Sequence, residues 1–330
     1  MLSLRTGMET TPLGQTGERV SALALGTIYF DSEIDRETSF EILDTYYDAG
    51  GRFLDTANNY ATWLEGYDEP QSEYLLGEWL DERGVREEMT IATKLGFNPP
   101  GMERSLDPAL IRESVDASRE RMGIDTIDLL YAHVDDPDTP QAATMEAFAE
   151  VVDAGKVRHL GASNFPAWRV ARANRIAEER GWPRFECVQP RFSYLIPDRD
   201  AEFGGQLPAT DELVDYCDQA DLTVLPYSPT LQGAYGRADR PIPDGYVRSE
   251  NRLKMDVIEE LAERKGVDGN AVLFAWLLDR DQPTVPIVGC STVGQLETNL
   301  AALDVTFTDG ERERLNAIES YGFDEWDLRA

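Results

Sequence analysis

One pattern recurs through most of this chain: a short apolar run, a polar or glycine-bearing turn, then a longer stretch with helical spacing. The apolar runs fall at residues 22–27, 53–57, 89–94, 127–133, 157–163, 185–189, 222–228 and 284–289. Each has strand length, and the intervening segments are long enough for helices. Helices are expected over 35–49, from Ser72 onward, from Asp107-Pro108 to Met122-Gly123, from Thr139-Pro140 to near Gly155, and over 166–181 and 210–218. Capping residues and glycines set those ends. After a long loop at 231–251, rich in Gly, Pro and Arg, helices are expected over 252–265, 269–280 and 293–302, with a last one over 309–321. Leu13-Gly14-Gln15-Thr16-Gly17 followed by Val20-Ser21 predicts a small N-terminal β-hairpin. About eight βα units with no break in composition predict one domain over 1–330, with a core of about 13–303. Its expected class is α/β, a closed (β/α)8 TIM barrel rather than an open doubly wound sheet. No Gly-x-Gly-x-x-Gly turn follows the first strand, which argues against a Rossmann-type dinucleotide site.

Composition narrows the partners. Hydrophobic residues make up 42% of the 330, enough for a full core, so disorder is not expected. The formal net charge is −31, and such a surface repels nucleic acid and anionic membranes. Lys94, Lys156, Lys254 and Lys265 are the only lysines. An acid-rich, lysine-poor surface suits cytoplasm at very high salt, where screening removes self-repulsion. No stretch approaches the roughly 20 apolar residues of a membrane span, and residues 1–7 lack an apolar signal core. A cytoplasmic location is the expectation, with translation starting at Met1 or Met8. Cys187, Cys217 and Cys290 make no disulfide framework, and with His133 and His159 as the only histidines no metal site is expected.

In a barrel, chemistry gathers at the C-terminal ends of the strands. Four reactive side chains stand at or just past consecutive strand ends: Asp55, Tyr60, Lys94 and His133. A Lys94 ammonium about 4 Å from the Tyr60 hydroxyl would interact by about 4 kcal/mol at an effective dielectric near 20. That would carry the phenol from about 10 toward neutrality, where it serves as a general acid. Asp55 would hold Lys94, and His133 would aim an N–H at a substrate oxygen. Singly, each residue has a structural explanation: a cap, a packed ring, a core histidine. Four at equivalent topological positions are harder to explain that way. His159 lies inside a strand and is assigned to packing. The run Asp135-Asp136-Pro137-Asp138 could suggest paired-acid hydrolysis, but a solvated acidic loop explains it better.

These residues resemble those of a known family, the aldo-keto reductases. The likeness rests on Leu25-Gly26-Thr27, Leu54-Asp55-Thr56-Ala57 with Tyr60, Ser72-Glu73, Ala92-Thr93-Lys94 and Asp128-Leu129-Leu130-Tyr131-Ala132-His133. It continues through Gly155-Lys156-Val157-Arg158, Gly161-Ala162-Ser163-Asn164, Val188-Gln189, Pro226-Tyr227-Ser228-Pro229 and Pro286-Ile287-Val288-Gly289 with Gln295 and Asn299. The resemblance implies a (β/α)8 barrel binding an extended nicotinamide cofactor, with Asp55, Tyr60, Lys94 and His133 as catalytic tetrad and Tyr60 as proton donor. It implies that Ser163, Asn164 and Gln189 clamp the carboxamide and that Tyr227 stacks on the ring. Gly26 and Thr27 would lie at the cofactor, and Ser228, Pro229 and Leu231, with Arg237, would fold over the pyrophosphate. Gly289, Ser291, Gln295 and Asn299 would form the adenosine-phosphate site. Many members carry Lys and Arg where Gly289 and Gln295 stand. Those cations pair with the 2′-phosphate of NADP, so their absence here weakens the case for NADP over NAD; NADP(H) is the expected cofactor with NAD(H) as alternative, and Arg237, Arg248 or Arg252 could supply the missing charge. Trp63, in the long segment after Tyr60, would line the substrate mouth.

The expected function is nicotinamide-dependent interconversion of a carbonyl (aldehyde, ketone or sugar) and an alcohol. The partner is a small molecule, not nucleic acid or membrane; the oligomeric state is left open. A cofactor-binding regulatory subunit without turnover, resembling channel β subunits, is the second reading, and a paired-acid hydrolase the third.

Overall fold

Apolar side chains alternate along each central strand, and that alternation builds the molecule. The structure, a computed structural model, describes residues 7–97, 104–237 and 239–317. A two-stranded antiparallel hairpin comes first: β1 (Thr10–Pro12) and β2 (Arg19–Ser21). The eight-stranded sheet follows: β3 (Ala24–Gly26), β4 (Phe53–Asp55), β5 (Thr90–Leu95), β6 (Ile127–Ala132), β7 (Val157–Ser163), β8 (Phe185–Gln189), β9 (Thr223–Val224) and β10 (Ile287–Val288). Every neighbouring pair is parallel, in the order β10-β3-β4-β5-β6-β7-β8-β9. The two ends meet. Val224 N donates to Pro283 O at 2.9 Å, Val285 N to Val224 O at 2.8 Å and Ile287 N to Pro226 O at 2.9 Å. Closing the sheet leaves no strand edge unpaired.

Helices surround the barrel: α1 (Arg36–Asp48), α2 (Gln71–Arg83), α3 (Pro108–Met122), α4 (Gln141–Asp153), α5 (Ala167–Arg180), α6 (Asp211–Gln219), α7 (Ser249–Lys265), α8 (Gly269–Leu278), α9 (Val293–Leu300) and α10 (Asp309–Asn316). The Asp107 cap expected from sequence is used, and side chains cap other helices at their expected starts. Asp35 accepts from Thr38 N, Asp107 from Ala109 N and Thr210 from Leu213 N. Gly123 and Gly181 end their helices in the left-handed conformation.

Two apolar layers result. Inward-facing Phe53, Ala92, Leu129, Cys187, Leu225 and Val285 fill the barrel, and Leu13 and Val20 of the hairpin join them. Outward-facing Leu54, Ile91, Leu130, Leu160 and Val188 pack under the helices. The hairpin plugs the N-terminal mouth: Gly14 N donates to Thr223 Oγ1, and that hydroxyl donates to Pro12 O, both at 2.8 Å. His159 lies at this end, 3.2 Å from Glu18 Oε2. At Gly161 of β7 a side chain would stand 2.6 Å from Tyr131 Cδ1 and 2.8 Å from Cys187 Sγ, so only glycine fits the filled interior.

The structure departs from the sequence expectations at several places. The run 222–228 hydrogen-bonds as a strand only at Thr223–Val224, and 284–289 only at Ile287–Val288, because Pro226, Pro283 and Pro286 donate no backbone hydrogen bond. Helix α2 begins at Gln71 behind Pro70, not at Ser72. The loop over 231–251 contains two 3-10 turns, Leu231–Gly233 and Asp244–Tyr246, and α7 already starts at Ser249. Helix α10 ends at Asn316, and the expected continuation over 318–321 lies outside the described residues. So does Met1, the first of the two candidate starts.

Candidate active site

Strand periodicity delivers the polar residues to one place. Side chains alternate in and out along a strand. Phe53 points inward, so Asp55 does too; Ala92 brings Lys94 inward, and Leu129 and Tyr131 bring His133. By the same count Cys187 brings Gln189 inward, and Gly161 brings Ser163. Register then aligns them: Gly26 pairs with Asp55, Asp55 with Ala92, Lys94 with Tyr131 and Ser163 with Gln189. Tyr60 arrives differently. Past β4 the chain still follows β5, Asn58 N donating to Lys94 O at 3.0 Å. It then turns at Ala61, whose φ is +71°.

Lys94 is the hub. Its Nζ, fully buried, donates to Asp55 Oδ1 at 2.5 Å, to Thr56 O at 2.7 Å and to Tyr60 Oη at 2.8 Å. An ammonium has three hydrogens, and all three are placed. Asp55 Oδ2 takes a further bond from Gln189 Nε2 at 2.8 Å. Burial opposes the charge on Lys94, but Asp55 and Tyr60 outweigh it and hold its pKa above the usual lysine value. Burial raises Asp55, while Lys94 and Gln189 pull the other way.

The sequence expectation for Tyr60 is corrected here. Its pKa is raised rather than moved toward neutrality, because burial disfavours the phenolate and the Asp55 charge offsets part of the help from Lys94. Tyr60 is thus held as the protonated phenol.

His133 stacks beside this group. Its ring lies 6.4 Å from Tyr60, edge to face, and 5.3 Å from Phe97. Burial, then the Lys94 charge, pushes its pKa well below the usual histidine value, so the imidazole is neutral. Its Nδ1 is buried without a hydrogen-bond partner among the described residues. Trp63 packs edge-on to Tyr60 at 6.2 Å and is 38% exposed; Tyr29, 37% exposed, lies three residues past β3. Phe97 and Tyr29 escaped the sequence reading. Each follows a strand end within two or three residues, the one signal that could have marked them.

A second knot lies at the ends of β7 and β8. The Asn164 amide makes four hydrogen bonds: Nδ2 to His133 O at 2.9 Å and Ser163 Oγ at 3.1 Å, Oδ1 from Leu207 N at 3.0 Å and Tyr227 Oη at 2.7 Å. That is the full capacity of the group. Ser163 Oγ donates to Gln189 O at 2.8 Å. Burial raises the Tyr227 phenol well above its usual value, so it stays a neutral ring.

Other expected site residues are spread around the mouth. Thr27 is buried, bonded to Asp55 O at 3.2 Å and to Ser72 Oγ at 2.6 Å. Gly26 lies against Ile287. Ser228 and Leu231 have φ of +51° and +49°, strained values for residues with side chains. Pro229 O accepts from Ser193 Oγ at 2.6 Å. Arg237 pairs with Asp239 at 2.6 Å. Arg248 lies 3.8 Å from Asp198 and 3.6 Å from Glu250. At the start of α9, Gln295 Oε1 accepts from Ser291 N at 2.9 Å and Oγ at 3.0 Å, and Asn299 reaches Gly289 O at 3.4 Å. The acids at 135–138 are solvated only in part: Asp138 is exposed, whereas the other two are held. Asp135 pairs with Arg169 at 2.6 Å, and buried Asp136 accepts from Leu106, Asp138 and Thr139 N.

A groove of about 1620 Å³ runs beside this region along the β8–α6 connection, walled by Arg191, Phe203, Leu207, Tyr246 and Trp276 among others. None of Asp55, Tyr60, Lys94 and His133 lines it. Chemistry follows the converging ionisable groups rather than the volume, and Leu207 joins the two at Asn164. The tetrad couples a buried cation to a neutral phenol beside a neutral imidazole. It can give a proton to an oxygen; it holds no metal cluster among the described residues.

A family model described as the aldo/keto reductase family matches residues 22–320. Norsolorinic acid reductase stcV of Emericella nidulans is 35% identical over 315 residues, covering 89% of this chain and 77% of that protein. The oxidoreductase YrpG of Bacillus subtilis is 33% identical, covering 94% and 96%. An aryl-alcohol dehydrogenase [NADP(+)] of Phanerodontia chrysosporium is 28% identical, covering 91% and 83%.

Proposed function

The chain belongs to the aldo/keto reductase family, and from that premise we propose that it reduces an aryl ketone or aldehyde, reversibly, with NADP(H) and with Tyr60 as the general acid. NAD(H) is the alternative cofactor. The observation that carries the reading is the hydrogen bond from a fully buried, carboxylate-held Lys94 to Tyr60 Oη at 2.8 Å.

The residues present fit a nicotinamide. His133 Nδ1 is a buried polar atom without a partner among the described residues, Tyr227 offers a neutral ring, and Ser163 and Gln189 stand at paired strand ends, Gln189 bonded to Asp55. Asn164, with its amide committed within the protein, would hold the frame of that clamp. When bound, the cofactor supplies or accepts hydride at the carbonyl carbon. Tyr60 gives its proton to the carbonyl oxygen in reduction and recovers it in oxidation. Lys94 then faces the phenolate at hydrogen-bond distance and stabilises it, and Asp55 keeps Lys94 charged. Neutral His133 orients the carbonyl oxygen through one N–H.

Substrate class follows the walls. Trp63 beside Tyr60 and Phe97 beside His133 make aromatic walls suited to a flat ring. Two of the relatives above are named for norsolorinic acid and for aryl alcohols. The test is a panel of aryl ketones, aryl aldehydes, aliphatic carbonyls and sugars, assayed with NADPH and NADH in molar salt. Aryl carbonyls are expected to lead in kcat/KM. Turnover of sugars alone would contradict the substrate class, and no turnover with either cofactor would contradict the activity.

A further inference from the structure

Gln189 touches both halves of the site. Its backbone carbonyl accepts from Ser163 Oγ at 2.8 Å. Its side-chain Nε2 donates to Asp55 Oδ2 at 2.8 Å, and the residue is 2% exposed. A carboxylate only accepts, so the bond fixes which end of the amide faces Asp55. Asp55 Oδ1 is meanwhile on Lys94. With one oxygen held by an amide and the other by an ammonium, the carboxylate plane cannot rotate. Were Oδ2 released, the carboxylate could turn, and Lys94 could follow it away from Tyr60.

We propose that Gln189 is a positioning residue for the Tyr60 proton donor: by gripping the second oxygen of Asp55 it keeps the first on Lys94 and Lys94 on Tyr60. Gln189 acts through Asp55 and needs no contact with the substrate for this role. The proposal deepens the reading of Tyr60 as general acid and rests on it only for its consequence in turnover.

The direction of the effect is fixed by charge. An N–H donor favours the carboxylate over the carboxylic acid, and Gln189 is among the influences that lower Asp55. Removing it raises the pH at which Asp55 takes up a proton. Gln189→Met keeps the length and removes the donor. The primary measurement is the infrared band of the protonated Asp55 carboxyl, identified by its loss in Asp55→Asn and followed as pH falls. In Gln189→Met the band is expected at higher pH than in the parent. The acid limb of kcat is expected to move the same way, with kcat at neutral pH down by about tenfold or more. NADPH affinity, read in parallel by fluorescence quenching, reports separately on any contact of Gln189 with the cofactor. If Gln189→Met does not fold, Gln189→Asn withdraws the donor by one methylene and is read identically. A band and an acid limb that coincide with the parent's, with weakened NADPH binding, would overturn the proposal and leave Gln189 as a cofactor contact only. A parent without nicotinamide-dependent turnover would sink the reading of Tyr60 while the infrared measurement still decided the role of Gln189.

Discussion

Lys94 gives the site its character, because a buried ammonium must be satisfied on every hydrogen. Replacing it with Met strands Asp55, and losing one partner of a buried pair costs about 3 kcal/mol or more. Urea melts of Lys94→Met should show that loss, and Asp55→Asn together with Lys94→Met should recover much of it; additive losses would mean the pair is not coupled. The pH profile has a definite sign. Reduction needs the phenol protonated, and the Tyr60 pKa lies above its usual value of about 10. Carbonyl reduction should therefore be flat from about pH 6 to about pH 9 and fall only above about 10, while alcohol oxidation rises over the same alkaline range. Neutral His133 adds no inflection near the usual histidine value of about 6.5. Steady-state rates across pH check both; a fall in reduction rate near neutrality would contradict the assignment. At this scale the sequence showed which residues converge, since Asp55, Lys94 and His133 stand at the ends of apolar runs and Tyr60 follows in the loop after one of them. It did not show the protonation of Tyr60, because burial acts through neighbours that one-dimensional spacing does not reveal.

Elements hold these residues by register rather than by local preference. Strand β7 must pass close to Tyr131 and Cys187, so Gly161→Ala should cost about 1–3 kcal/mol through overpacking. Thermal melts read this, and an unchanged Tm would show the interior to be looser than the distances imply. Asn164 binds the ends of β6 and β7 to Tyr227 and to Leu207 on the β8–α6 connection. Its φ of +57° is one of seven positive non-glycine values among the described residues: Asp31, Ala61, Asn164, Ser228, Leu231 and Gln232 lie on loops that leave the C-terminal ends of strands, and Asp221 precedes β9. Most of this backbone strain lies at the C-terminal end of the barrel. Helices were legible because caps are local: Asp35, Asp107, Thr210 and Gly181 act within a turn of themselves. Strands β9 and β10 were legible as apolar runs but not as two-residue ladders, since prolines interrupt the pairing. The strap that brings Leu207 to Asn164 had no sequence signal, being a contact across 43 positions.

Across the whole molecule, charge dominates. A net −31 repels itself at low salt, and the many surface ion pairs, such as Arg36 with Glu78 and Arg314 with Glu260, are exposed and worth little each. Screening falls from a length of about 10 Å at 0.1 M to about 3 Å at 1 M. It should relieve more repulsion than it removes attraction. Tm is therefore expected to rise with potassium chloride between about 0.1 M and about 2 M; a falling Tm would mean that the ion pairs outweigh the repulsion. The barrel itself was legible at this scale from repetition alone. Closure was expected from that repetition too, but not the bonds that make it, from Val285 and Ile287 to Val224 and Pro226, which join segments with no shared pattern.

The most direct test is Tyr60→Phe, which removes one hydroxyl and leaves the ring beside Trp63 and His133. Carbonyl reduction is measured at saturating NADPH, and cofactor affinity by fluorescence quenching. Turnover is predicted to fall by about a thousandfold or more, with affinity unchanged within a few-fold. Reduction at close to the parent's rate would contradict the assignment of Tyr60 as the proton donor.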